Sequence, residues 1–268
     1  MILRKRPALF ALYLGFILVV MYVPIILVIA YSFNQSRLTS VWGGFTLSWY
    51  AELLHDRAMF EGLRTSLILG FLSSGLSAAL GTLAASGMAK VRAQDQGRGG
   101  SVHKIMEYLS ILPIMTPEII MGMVFLAFFS LLSLPLGMTS LVIAHTAFCV
   151  PYPYLLVRAR LSGLDKGYAE AARIMGASDI RAFCDITLPL VLPAVISGML
   201  ISFAMSFDDV IVSSFVAGVD TNTMPMVIYS RIKAGVTPKT NAMCSLLFVL
   251  TIILCVTAAL LAKRKIKN

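Results

Sequence analysis

The sequence predicts an all-α, polytopic membrane protein with six transmembrane helices. Three observations carry that prediction. The chain is 58% hydrophobic and only 13% charged, where soluble domains carry about 25% charged residues. Six apolar runs are of roughly the length a helix needs to cross a bilayer, about 20 residues. The Lys and Arg residues fall unevenly on the segments between those runs.

The runs come in order at about 8–33, 67–88, 105–132, 140–156, 191–216 and 243–262, within one transmembrane domain over 1–268. The first follows Arg4, Lys5 and Arg6. It is longer than a signal-peptide core of about 7–15 residues, so it reads as a retained span, with a kink expected at Pro24. A polar and aromatic stretch over 34–64 carries Trp42-Gly43-Gly44-Phe45, a turn, and a short amphipathic helix from Ser48. Its Trp and Tyr residues suit a headgroup region. The second run places Gly70, Ser74, Ala78, Gly81 and Ala85 at helical spacing, which allows a second helix to approach closely. A Gly- and Arg-containing loop over 90–104 leads to the third run, which holds Pro113, Pro117 and Glu118. Pro135-Leu136-Gly137 turns into the fourth run, with His145, Pro151 and Pro153. His145 reads as a hydrogen-bonded packing residue. The fifth run contains Asp208 and Asp209, a polar loop spans 217–241, and the sixth run ends in a basic tail.

Six spans put both termini on one side. That side holds 16 of the Lys and Arg residues and the other holds 6, so the positive-inside rule makes both termini and the segment 165–189 cytoplasmic. The net charge of +9 therefore reflects membrane topology rather than nucleic acid, and no basic–aromatic patch suggests otherwise. Cys149, Cys184, Cys244 and Cys255 show no zinc or redox spacing. They read as small core residues, with no disulfide, metal or cofactor.

Carboxylates inside an apolar span are costly, about 2.5–3.5 kcal/mol each on insertion scales, and mark function. Glu118, Asp208 and Asp209 are three such acids. Glu118 stands 13 residues after Ile105, and Asp208 stands 15 after Pro193. Both then lie roughly 20 Å from the cytoplasmic side at 1.5 Å per residue, and no basic residue shares a predicted span. On an unbroken helix Ser202, Ser206, Asp209 and Ser213 form one stripe. Asp209 is expected to face a polar cavity and Asp208 a helix or subunit interface. Pro117 is expected to break the third span beside Glu118. An anionic cavity selects a cation. Carboxylates with aromatic walls suit an organic cation, for which Trp42 and Tyr229 are candidates together with Tyr22, Tyr31 and Tyr152.

The segment 165–189 is long and polar for a link between spans. Its Glu170-Ala171-Ala172, then Gly176, then Ile186-x-Leu188-Pro189 resembles the EAA signature of permease subunits of binding-protein-dependent ABC importers. The resemblance implies a MetI-like permease fold and a cytoplasmic coupling helix seated on an ATPase subunit. It assigns that docking to Glu170, Ala171, Ala172, Arg173, Gly176, Ile186, Leu188 and Pro189. Ala171, Ala172 and Gly176 would supply a smooth face, and Glu170 and Arg173 polar contacts at its rim. Ser32-Phe33-Asn34, Trp49-Tyr50, His145-x-x-Phe148-Cys149, Ser206-Phe207-Asp208-Asp209-Val210 and Gly235-Val236-x-Pro238-x-x-Asn241 resemble spermidine/putrescine permeases over nearly the whole chain. That resemblance implies a polyamine cargo, Glu118 standing where the family often has Asp. It implies a homologous second permease, two ATP-binding subunits and an extracytoplasmic binding protein docking on 34–64 and 217–241, in a bacterial inner membrane. The chain has no G-x-x-x-x-G-K-[ST] phosphate loop, so ATP hydrolysis is expected on the separate subunits and the chain is not expected to be an enzyme. An importer permease for another solute is the alternative. A secondary transporter is a more distant one, since no internal repeat is visible.

Overall fold

The computed structural model describes residues 7–37, 41–94, 101–165 and 167–267, with side chains over 11–37, 41–91, 104–165, 167–168 and 170–253. Arg4, Lys5, Arg6, Arg98 and Lys166 lie outside the described residues. The side chains of Arg92, Cys255 and the basic tail from Lys263 also lie outside them. The described chain is helical apart from turns and one isolated bridge, Asn34 with Phe45. It forms two compact units, Met1–Met59 with Val227–Asn268, and Phe60–Met226.

The first unit contains α1 (Pro7–Tyr31), α2 (Ser48–Leu53), most of α12 (Met224–Ala234) and α13 (Pro238–Lys267). α13 packs against α1 and α2. The link from α1 to α2 is organised by the buried Asn34. Its Nδ2 donates to the Val41 carbonyl at 2.8 Å, and its Oδ1 accepts from the Gly43 amide at 2.8 Å. The Trp49 indole donates to the Asn34 carbonyl at 2.7 Å. Gly44 takes a φ of +117°, which favours glycine. These bonds satisfy the polar backbone of an otherwise irregular segment.

Asp56 clamps the same unit. Both carboxylate oxygens accept from Arg231 Nη2, at 2.8 and 2.9 Å, and Lys239 Nζ lies 3.0 Å from Oδ2. The Arg231 hydrogen bonds, assisted by Lys239 and opposed by burial, lower the Asp56 carboxyl to about 2. A carboxyl depressed in the folded state contributes stability above its unfolded value. That contribution, about 2 kcal/mol, is lost as pH falls through the folded one. The melting temperature of the purified protein is expected to drop between pH 4 and pH 2. Asp56→Asn should flatten that step and lower stability at pH 7.

The second unit runs from α3 through α11. α3 (Arg57–Gln94) is followed by α4 (Ser101–Met115), α5 (Glu118–Leu131), α6 (Met138–Cys149) and α7 (Pro151–Ser162). Next come α8 (Gly167–Ile174), α9 (Asp179–Ala182), a π-turn (Phe183–Thr187), α10 (Leu188–Asp208) and α11 (Ile211–Val216). One buried cluster joins Leu69, Phe129, Leu141, Ala144, Val212 and Val216. A second joins Ala85, Met88, Tyr154, Val157 and Val191. Small residues set the closest approaches. A Cβ on Gly198 would lie 2.4 Å from Pro153 Cα, and one on Gly81 would lie 2.8 Å from the Tyr154 amide. α3 and α10 thus both press on the start of α7, through residues with no side chain in the way.

Among the described residues four helices are long and apolar enough to cross a membrane: 11–31, 57–91, 138–162 and 179–208. The pair 104–115 and 118–131 passes the same criterion jointly but is bent by 107°. α13 is apolar over Pro238–Ile253 and continues to Lys267. The boundaries differ from the sequence expectation. α3 has 38 residues instead of a run over 67–88, because a helix does not stop where the hydrocarbon does and Arg57, Glu61, Arg64 and Lys90 continue it in polar surroundings. The fourth run extends to Ser162. The fifth does not reach 216 as one helix, since α10 ends at Asp208. Cys149 is buried as expected, whereas Cys184 is exposed within the π-turn and is not a core residue.

Candidate functional site

Glu118 and Asp208 both sit at broken helix ends. Pro117 has no amide hydrogen to give and takes an extended conformation (φ −56°, ψ 134°), so α4 stops and α5 starts at Glu118. The carboxylate then lies in the first turn of α5, where the helix dipole favours negative charge. Asp208 is the last residue of α10, and Asp209 is extended (φ −68°, ψ 128°) before α11 begins at Ile211. The short helices that follow the two breaks, α5 and α11, pack against each other with the Phe215 ring over Gly122. Glu118 and Asp208 are both exposed, and neither forms an ion pair among the described residues. Tyr152 is half-buried in the first turn of α7.

Asp209 is placed differently from its neighbour and, being buried, differs from the expectation that it faces a polar cavity. It is 8% exposed. Its Oδ1 accepts from the Val212 amide at 3.1 Å, and its Oδ2 accepts from the Ser213 amide at 2.7 Å. Those are two of the orphan donors at the start of α11. His145 Nε2 lies 3.5 Å from Oδ2 and 3.1 Å from Ser213 Oγ. His145 Nδ1 lies 2.8 Å from Ser206 Oγ, which lies 2.9 Å from Ser73 Oγ. Ser202 and Cys149 exchange side-chain-to-carbonyl contacts, at 3.3 and 3.4 Å. The stripe Ser202, Ser206, Asp209 and Ser213 therefore faces α6 as buried polar glue, while Asp208 is left exposed. Periodicity groups these four on one face and leaves Asp208 off it; what it does not capture is that the shared face is packed.

Trp42 and Tyr229 belong to the first unit and are exposed. Trp42 packs edge-on to Tyr31 at 6.2 Å between ring centroids, and the Lys233 ammonium sits 4.7 Å from the Tyr229 ring centre. Tyr229 thus already presents its face to a cation.

The EAA segment resolves into two helices and a π-turn. Glu170, Ala171, Ala172 and Arg173 lie on α8, with Glu170 and Ala171 exposed. Gly176 ends α8 with φ +91°. Its amide donates to Arg173 O at 2.9 Å, and the Ala177 amide donates to Ala172 O at 3.0 Å, a Schellman closure. A Cβ at Gly176 would meet nothing within 4 Å. Within this chain the glycine is therefore required by its backbone conformation. Ser178 then caps α9 by accepting from the Arg181 amide at 3.3 Å. Ile186 lies in the π-turn, and Leu188 and Pro189 open α10. A proline there has no amide to bond back, which fits the widened π-turn before it. Arg173 differs from the expected rim contact. Its Nε lies 2.7 Å from Asp179 Oδ1, tying α8 to α9, and Lys90 Nζ lies 3.3 Å from Asp179 Oδ2, so Asp179 also holds the end of α3. These two cations lower the Asp179 carboxyl, the Lys90 hydrogen bond most. Ile174, Met175 and Ile180 are 88%, 88% and 77% exposed. Sequence reading passed over these three. Their signal was apolar side chains in a polar segment, on either side of the glycine turn.

The family model for "Binding-protein-dependent transport system inner membrane component" matches residues 77–267. The spermidine/putrescine transport system permease protein PotC of Haemophilus influenzae is 37% identical over 91% of this chain and 92% of its own. PotC of Escherichia coli is 36% identical over 92% of this chain and 91% of its own. The putrescine transport system permease protein PotI of Escherichia coli is 34% identical over 92% of this chain and 87% of its own. Among solved structures, a bacterial ABC transporter that imports the acidic polysaccharide alginate aligns over 94% of both chains with TM-score 0.70 and 16% identity. The MetNI methionine transporter aligns over 80% of this chain and 95% of its own with TM-score 0.57 and 16% identity. At those identities the structures establish the fold, an all-α MetI-like permease, and not the cargo. The chain belongs to the binding-protein-dependent transport system inner membrane components, as an ABC-importer permease subunit, a transport component rather than an enzyme, that is similar to PotC and PotI.

Proposed function

We propose that this permease forms part of the translocation pathway for a polyamine, putrescine or spermidine, and that Glu118 and Asp208 are counter-ions for its ammonium groups. The observation that carries this reading is the pair of exposed acids at the two broken helix ends, without a basic partner among the described residues. An unneutralised carboxylate in a membrane-spanning segment is costly unless a cation or water meets it. The names of the relatives that match over most of the chain agree with a polyamine. Asp209 is left out of the proposed counter-ions because it is buried and already accepts from the Val212 and Ser213 amides.

The chain crosses the inner membrane six times with both termini in the cytoplasm, the bent pair α4–α5 and α13 providing the third and sixth crossings. It pairs with a homologous permease. Loops 34–64 and 217–241 receive an extracytoplasmic binding protein, and α8–α9 dock on one of two ATP-binding subunits. Ile174, Met175 and Ile180 form the apolar part of that docking face, since large exposed side chains around one turn mark an interaction surface. ATP-driven uptake of putrescine and spermidine by the assembled complex, against uncharged and anionic solutes of similar length, tests this reading.

A further inference from the structure

The buried network behind Asp208 is connected across four helices, and the pathway reading does not use it. Ser73 on α3, His145 on α6, Ser206 on α10, and Asp209 with Ser213 at the start of α11 form one chain of polar contacts. His145 and Ser213 are fully buried, and Ser206 is 2% exposed. A carboxylate only accepts, so the His145 nitrogen facing Asp209, Nε2, carries the hydrogen. Nδ1 then accepts from the Ser206 hydroxyl, whose oxygen accepts from Ser73. The single Ser73 hydrogen is shared between Ser206 and the Leu69 carbonyl, 2.7 Å away, so the chain of contacts ends on the backbone of α3. The network sits at the one place where the fifth span is broken, and its acidic member closes the amides of the helix that follows.

We propose that Asp209 and His145 are positioning residues. They pin the break between α10 and α11 so that Asp208 is held at the exposed end of α10, and Asp209 itself does not touch the cargo. This rests on the reading of Asp208 as a cargo counter-ion. It assigns the adjacent acids opposite duties: Asp208 needs its charge, and Asp209 needs its two acceptor sites and its contact with His145. An Asn at 209 keeps an oxygen with two lone pairs for the Val212 and Ser213 amides, and its NH2 can donate to His145 Nε2 in the other tautomer. An Ala keeps neither.

The test is ATP-driven spermidine uptake by the complete complex in sealed vesicles, at saturating loaded binding protein. Rates are normalised to the amount of complex that assembles. Asp208→Asn and Asp209→Ala are each expected to lose at least 10-fold, while Asp209→Asn retains at least three-fold more uptake than Asp209→Ala. Adding Asp209→Ala to Asp208→Asn is expected to cost nothing further, because a positioned group that has already been neutralised cannot lose more. His145→Leu enters the same network without removing a charge. It is expected to lose uptake alone and to be silent in the Asp208→Asn background, so the test survives if Asp209→Ala fails to assemble. Equal losses for Asp209→Asn and Asp209→Ala would show that the charge at 209 is what matters and would overturn the proposal. Multiplying losses in the double variants would overturn it as well, since a contact or a general structural defect independent of Asp208 behaves that way. Wild-type uptake in Asp208→Asn would overturn the counter-ion reading itself, and the positioning proposal with it.

Discussion

Glu118→Gln and Asp208→Asn are each expected to lower ATP-driven polyamine uptake by roughly 10- to 100-fold, the factor that follows from losing one charge-assisted hydrogen bond of about 1.5–3 kcal/mol. Neither substitution should disturb folding. Both side chains are exposed, both amides nearly match the carboxyl in volume, and neither acid holds an ion pair among the described residues. Removing an unneutralised charge from a membrane-spanning segment should if anything ease insertion. Assembly with the partner subunits and ATP hydrolysis driven by the binding protein should therefore survive while cargo movement fails. That separation is measured by counting ATP hydrolysed per polyamine transported. Wild-type uptake in both variants would remove the two helix breaks from the pathway.

Ile174→Asp combined with Met175→Asp is expected to abolish uptake by a different route, through loss of the ATP-binding subunit. Burying a large aliphatic side chain contributes about 1.5–3 kcal/mol. Two carboxylates in the same interface add a desolvation cost, so the docked state should be disfavoured by several kcal/mol. The two side chains are each 88% exposed, so the substitutions leave the permease itself intact. Co-purification of the ATP-binding subunit reads the effect directly. Gly176→Ala should be milder, because it strains a turn at φ +91° at about 1 kcal/mol without blocking the face. If the double variant still co-purifies with its ATPase, the docking face lies elsewhere.

The all-helical membrane fold was legible because apolar length and charge asymmetry are properties of the whole chain. The EAA segment was legible by spacing, but its physics was not. Gly176 was expected to give a smooth face, and within this chain it supplies a backbone angle; Arg173 was expected at a rim, and it holds Asp179. The Pro117 break could be read because proline removes a specific hydrogen bond. The break after Asp208 could not, since no proline or glycine marks it. It is stabilised by groups far apart in sequence, His145 and the Ser213 amide, meeting at Asp209. A stripe drawn on an ideal helix therefore pointed Asp209 at a cavity and Asp208 at an interface, whereas Asp209 is buried and Asp208 exposed. One local sign was present: an acid three and four residues before the amides it caps.

The most direct measurement is the initial rate of ATP-driven uptake by the assembled importer in sealed vesicles, with solutes of matched length and different charge. Saturable uptake of spermidine or putrescine, competed by the other polyamine, unaffected by an uncharged diol or a dicarboxylate, and lost in Glu118→Gln, is the predicted result. Transport of the uncharged or anionic solute at the polyamine's rate would contradict an acid-lined cation pathway.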